Sequence, residues 1–217
     1  DMSWKEDVYT VLERDPAPKS FSEALMFSQG LHALLLHRVS HRLYLKGQYK
    51  LARLINYWSR VLTGADIHPG ATFGKGVFID HATGVVIGET AIIGNNVSIF
   101  QGVTLGGVST AKGKRHPTIK DNVIIGAHAT VLGDITIGEN VKIGAGSVVV
   151  KDVPPNVTVV GIPGKVVQKN KCERDRLQRV RQENLPDPLW ETLTDICSAI
   201  DSLEKRIDSL EDSLKKP

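Results

Sequence analysis

A chain of 217 residues can hold one large domain or two small ones. Its hydrophobic content of 41% is that of a globular protein. Aromatics make up only 6%, so Ile, Val and Ala must fill the core. A net charge of +3 is too small to point to nucleic acid and leaves room for an anionic small ligand.

Taken in chain order, Trp4, Val8, Val11 and Leu12 fall at helical spacing and predict a first helix over residues 3–15. The run Asp15-Pro16-Ala17-Pro18 stops it. A second helix starts with Ser20 or Ser22 as N-cap and runs towards Ser28, with Gly30 near a break. A third spans residues 32–45, with Leu34, Leu35, Val39, Leu43 and Tyr44 as its apolar members. After Lys46-Gly47 a fourth carries Leu51, Leu54, Ile55 and Trp58. Residues 3–62 therefore read as an N-terminal helical domain.

From there the periodicity changes. Ile87-Gly88, Ile93-Gly94, Ile99 and Leu105-Gly106 recur every six residues. The series resumes as Ile119, Ile125-Gly126, Val131, Ile137-Gly138, Ile143-Gly144 and Val149. A period of six fits neither an α-helix nor an alternating strand. It is the signature of a hexapeptide-repeat, left-handed parallel β-helix over residues 63–168, three hexapeptides to a triangular coil. The aliphatic residue points inward, and Gly or Asn at the corners takes backbone angles a branched residue resists. The end of such a solenoid exposes unpaired backbone and apolar cross-section, which the helical domain is expected to cover.

The early inward positions are Ile67, Phe73, Ile79 and Val85, and the next is Ile87. The phase therefore slips around Asp80-His81-Ala82-Thr83-Gly84. A longer slip, residues 106–118, is polar and Gly-rich and reads as a loop extruded from the coil, where sites tend to sit. The solenoid winds down at Val153-Pro154-Pro155 and Gly161-Ile162-Pro163-Gly164.

Residues 169–217 read as a charged C-terminal helical tail. Leu189, Leu193, Ile196, Ile200, Leu203, Ile207, Leu210 and Leu214 alternate spacings of four and three, a heptad seam over 189–214. Solenoids of this kind associate in threes, so the seam is read as a trimeric coiled coil, against the two-stranded bias of Ile at a with Leu at d. The alternative is one amphipathic helix folded back on its own domain. Cys172 and Cys197 show no metal or disulfide-framework spacing. No signal peptide or membrane span is visible, so the setting is read as cytoplasmic.

Several motifs stand out together: Gly64-Ala65-Asp66-Ile67-His68-Pro69, Asp80-His81-Ala82-Thr83-Gly84, Gly88-Glu89-Thr90, Gln101-Gly102-Val103-Thr104-Leu105-Gly106-Gly107 and Arg115-His116-Pro117. In these the chain resembles the serine O-acetyltransferases over roughly residues 3–168. The resemblance implies transfer of acetyl from acetyl-CoA to the hydroxyl of L-serine, the first step towards cysteine, with no metal. His81 is then the general base, since imidazole can take and return a proton near neutral pH. Asp66 is implied as the carboxylate that orients it. Asp15, Asp80, Arg115 and His116 are implied as serine contacts. The acids take the ammonium, Arg115 forks onto the carboxylate, and Glu89 holds neighbouring groups in place.

Acetyl-CoA is expected in a groove between two subunits of a homotrimer, along Thr104, Gly106, Gly107, Gly126, Ala127 and Ala145. Lys142 and Lys165 are the candidate phosphate partners. The family further implies L-cysteine as a feedback inhibitor competing at the serine site. The chain departs from longer members in its short helical cap, the part those members use to pair their trimers, so that pairing is left open. Its ending, Lys215-Lys216-Pro217, also lacks the isoleucine-terminated peptide with which those members dock on O-acetylserine sulfhydrylase.

Three other readings exist. One is an acetyltransferase for a sugar or other hydroxyl. A second is a zinc hydratase of the carbonic anhydrase type, for which Asp121 stands where a third histidine is needed and His128 is the substitute. The third is a non-catalytic trimeric scaffold.

Overall fold

The computed structural model describes residues 4–110 and 112–167. The heptad seam and both cysteines lie outside them. Four helices come first: α1 (Trp4–Arg14), α2 (Phe21–Phe27), α3 (Gln29–Leu45) and α4 (Tyr49–Thr63). Ser20 is the N-cap of α2, its Oγ accepting from the Glu23 N–H at 3.2 Å. Gly64, left-handed at φ 76°, ends α4. Gly30 lies near the break between α2 and α3 at Ser28, as expected, in the first turn of α3. A Cβ there would sit 1.8 Å from the Ile79 carbonyl oxygen, so glycine lets the helix lie directly on the coil.

Short strands follow: β1 (Asp66–Ile67), β2 (Thr72–Phe73), β3 (Phe78–Ile79), β4 (Val86–Ile87), β5 (Ile92–Ile93), β6 (Ser98–Ile99), β7 (Thr104–Gly106), β8 (Thr118–Ile119), β9 (Ile124–Ile125), β10 (Thr130–Leu132), β11 (Thr136–Ile137), β12 (Lys142–Ile143), β13 (Val148–Val149), β14 (Thr158–Val160) and β15 (Lys165–Val167). They form three faces of a parallel β-helix. The first is β1-β4-β7-β10-β13, the second β2-β5-β8-β11, and the third β3-β6-β9-β12-β14, closed by antiparallel β15.

The predicted aliphatic row is the core, from Ile67 to Val149, all buried, and Val153 and Val159 extend it. A companion row of smaller residues two positions earlier is buried with it: Ala65, Ala71, Val77, Val85, Ala91, Val97 and Val103. Val85 belongs to this second row, not to the first. Register measures the irregularities. Ile67 pairs with Ile87, Ile87 with Leu105, Leu105 with Val131 and Val131 with Val149. A regular coil takes 18 residues, as from Ile87 to Leu105. The His81 corner adds two residues and the loop after β7 adds eight. A corner two residues short lies between β13 and Val153, which bridges to Ile137.

The second–third edge is regular. Asn96, Asn122, Asn140 and Asn156 all have φ near 60° there, and their side-chain amides bond in series at 3.3, 3.1 and 3.0 Å. Ala33 and Leu34 of α3 join the coil's core, and Phe78 joins a second cluster with Val8, Val11, Ala24 and Leu31. The helices thus cover the first coil, as its exposed end requires.

Candidate active site

His81 stands on the third–first edge, in the corner with two extra residues. Its φ of 50° turns the ring outward, and the side chain is 76% exposed. Nε2 lies 3.7 Å from Asp80 Oδ1. The end of α1 is tied to the coil by Arg14, whose guanidinium donates to Ser98 Oγ at 2.9 Å. That brings Asp15 to the same place. Asp15, Asp80, His81 and Glu23 line one cavity of about 360 Å³. Burial raises the Asp80 pKa, His81 opposes this, and the nearby Asp15 charge adds to the rise. The cavity therefore offers an acidic wall beside an exposed imidazole.

Asp66 is close in the fold. The Gly84 N–H donates to the Gly64 carbonyl at 3.0 Å, and the Asp66 N–H to that of Val85 at 2.8 Å. The Asp66 carboxylate, however, is engaged by α4. It accepts from Asn56 Nδ2 at 3.2 Å and from Arg60 at 3.1 Å. The sequence spacing placed Asp66 and His81 on one edge but carried no sign of this partnership.

A second group gathers on the first–second edge. Glu89 Oε2 accepts from Arg115 at 2.5 Å, and Tyr44 Oη donates to Oε1 at 2.9 Å. The Arg115 bond, then the Tyr44 bond, lowers the Glu89 pKa. Thr90, unremarked as a site residue, anchors the loop. Its Oγ1 accepts from the N–H groups of Arg115 and His116 at 3.0 and 3.1 Å, and its own N–H donates to His116 Nδ1 at 3.2 Å. A backbone N–H can only donate, so Nδ1 is the acceptor and the neutral ring carries its proton on Nε2. Burial, then Arg115 and Lys114, lowers the His116 pKa and keeps the ring neutral. Nε2 points at glycines: a Cβ on Gly88 or Gly107 would come within 2.0 or 3.2 Å of it. His116 therefore presents a fixed N–H donor.

The predicted acetyl-CoA residues divide. Thr104 and Gly106 lie in β7, with Gly107 directly after. Lys142 and Lys165 lie on the third face, and Lys165 and Ala145 are exposed. Gly126 and Ala127 are buried, so they do not line an open groove in the single chain. Glycine at 126 serves the coil itself, since a Cβ would sit 2.6 Å from the Ala145 nitrogen. Among the described residues no three His, Cys, Asp or Glu side chains cluster as metal ligands. Asp121 instead accepts from the Asn95 backbone at 2.8 Å. None of the described helices is long and apolar enough to cross a membrane.

Two family descriptions match the coil: "bacterial transferase hexapeptide (six repeats)" over residues 116–151 and "hexapeptide repeat of succinyl-transferase" over 70–106. Over 97% of its length the chain is 53% identical to the serine acetyltransferase of Bacillus subtilis, covering 93% of that protein. The chain belongs to the serine acetyltransferase family. The serine acetyltransferase of Bacillus pumilus is 50% identical over 95% of the chain and 94% of its own length. Among solved structures, the Neisseria gonorrhoeae serine acetyltransferase in complex with serine is 53% identical with a TM-score of 0.73, covering 76% of this chain and 67% of that one. The Brucella abortus serine acetyltransferase in complex with coenzyme A is 46% identical with a TM-score of 0.73, covering 76% and 66%. These matches point to left-handed winding of the hexapeptide coil.

Proposed function

We propose that this chain transfers the acetyl group of acetyl-CoA to the hydroxyl of L-serine, releasing CoA and O-acetyl-L-serine for cysteine synthesis. The observation that carries the reading is the shared cavity of Asp15, Asp80 and His81, an acidic pocket for an ammonium beside a base. His81 removes the hydroxyl proton as the oxygen attacks the thioester carbon. The tetrahedral oxyanion is met by the Gly107 N–H, with the His116 Nε2–H close by. On collapse, His81 returns the proton to the leaving thiolate, so no free charge is left over.

Asp66 orients the imidazole by giving up Arg60. That ion pair is largely exposed, at 66% and 34%, and such pairs are worth only about 0–1 kcal/mol. Asp80 and Asp15 hold the ammonium, and Arg115, set in place by Glu89, holds the carboxylate. In one chain these two half-sites sit at opposite edges of the first face. A homotrimer that sets one chain's His81 edge against its neighbour's Arg115 edge unites them. Acetyl-CoA then runs through the same groove along Thr104, Gly106 and Gly107, towards Ala145, Lys142 and Lys165. Gly126 and Ala127 support its wall. No metal takes part, and L-cysteine, with the same zwitterionic backbone, competes with serine. Residues 3–62, 63–168 and 169–217 act as cap, catalytic coil and trimer-forming tail in the cytoplasm.

The deciding experiment is thiol release from acetyl-CoA with L-serine, with L-serine plus L-cysteine, and with a galactoside. Release with serine, reduced by cysteine, is expected. Faster release with the galactoside overturns the substrate assignment.

A further inference from the structure

We propose that Tyr44 is a positioning residue that sets affinity for the substrate carboxylate through Glu89. The inference rests on the assignment of Arg115 as the carboxylate's partner. Tyr44 belongs to the helical cap, on α3, and is separated in sequence from the extruded loop by α4 and two full coils. Yet its hydroxyl donates to Glu89 Oε1 at 2.9 Å, while Oε2 takes Arg115 at 2.5 Å.

A carboxylate bonded at one oxygen alone can rotate about its last torsion. Held at both, it fixes the plane in which it meets the guanidinium. Arg115 is otherwise tethered through its backbone by Thr90 and by a long bond of 3.3 Å to the Gly113 carbonyl. The direction of its remaining N–H donors thus depends on Glu89, and that of Glu89 on Tyr44. The recess of about 390 Å³ beside them, lined by Tyr44, Glu89, Thr90 and Lys114, gives the carboxylate room to turn once released.

The Tyr44 ring has its own supports. It packs edge-on against Tyr49 at 5.0 Å and His68 at 5.7 Å, so removing the hydroxyl leaves the ring seated. The effect therefore falls on alignment of Arg115, not on packing of the cap. Alignment of a binding group is felt in binding of the substrate it holds, not in the acetyl donor.

The test is steady-state kinetics on the full chain with Tyr44→Phe, Glu89→Gln, the double variant and Arg115→Lys. Loss of one hydrogen bond in the chain predicts a rise of about 3- to 10-fold in the KM for serine in Tyr44→Phe. The KM for acetyl-CoA should stay put, and the double variant should be no worse than Glu89→Gln alone. An unchanged serine KM in Tyr44→Phe overturns the proposal. So do equal rises in both KM values, or effects that multiply in the double variant. If Arg115→Lys leaves the serine KM unchanged, the Arg115 assignment fails and the inference with it. If Arg115→Lys raises it while Tyr44→Phe does not, the inference alone fails.

Discussion

A non-glycine residue in the left-handed region makes His81 awkward to replace by Ala. Asn tolerates φ near 50° far better. His81→Asn should therefore keep the corner intact while removing the base. The expected loss in kcat is roughly 10²–10⁴-fold with the oligomer mass unchanged; near-normal turnover would remove His81 from the mechanism.

A second histidine speaks to stability. His37 on α3 is buried among His41, His68, Arg38 and Phe73, and its Nδ1 has no hydrogen-bond partner among the described residues. Burial, then the charges of its neighbours, pushes its pKa from 6.5 to about 3. Between those values the unfolded chain binds a proton that the folded chain refuses. Its contribution is therefore intact above pH 6.5 and is lost as pH falls towards 3. Urea unfolding at a series of pH values should show stability falling across that window, with a shallower fall in His37→Gln.

At the scale of elements, the cap is fastened to itself and to the coil by polar contacts that helical spacing does not reveal. Arg38 on α3 forks onto Asp7 of α1 at 2.7 and 2.8 Å, with both side chains over nine-tenths buried. This pair fixes α1, whose end carries Arg14 and Asp15 to the site. Asp7→Ala removes one half of a buried ion pair and should cost about 3–5 kcal/mol in denaturant unfolding. A loss under about 1 kcal/mol would mean the pair is solvated in solution. On the coil, the asparagine series does comparable work at the second–third edge. Each Asn accepts the left-handed angle, and Asn96, Asn122 and Asn140 each pass a hydrogen bond to the next coil, which glycine could not do.

For the whole molecule, the division of the site between two edges has a direct consequence. If each site is built from His81 of one chain and Arg115 of its neighbour, His81→Asn and Arg115→Ala variants are each inactive alone. Co-expressed, they form mixed trimers in which some interfaces bring an intact His81 edge to an intact Arg115 edge. Random assembly in equal amounts predicts recovery of about one quarter of full activity. No recovery would place both half-sites within one chain. The outer residues of the first face are uncharged from Val86 through Thr104, Thr130 and Val148, as a face that packs against another copy should be.

The sequence by itself determined the coil, its core and the places where it breaks. Each hexapeptide buries the same position, so the inward row writes its period into the chain. Any added residues show as a slip, as at His81 and after Gly106. The motifs at those slips carried the family. Tertiary structure alone decided what the outward side chains touch. Thr90 holding the loop, Tyr44 reaching Glu89, Arg60 engaging Asp66 and Gly30 lying on Ile79 all join residues from different coils or from cap to coil. Such contacts leave no period, because they depend on how the elements stack and not on where each residue falls in its own repeat. The same stacking separated Asp80 and His81 from Arg115 and His116, which the sequence had presented as one set.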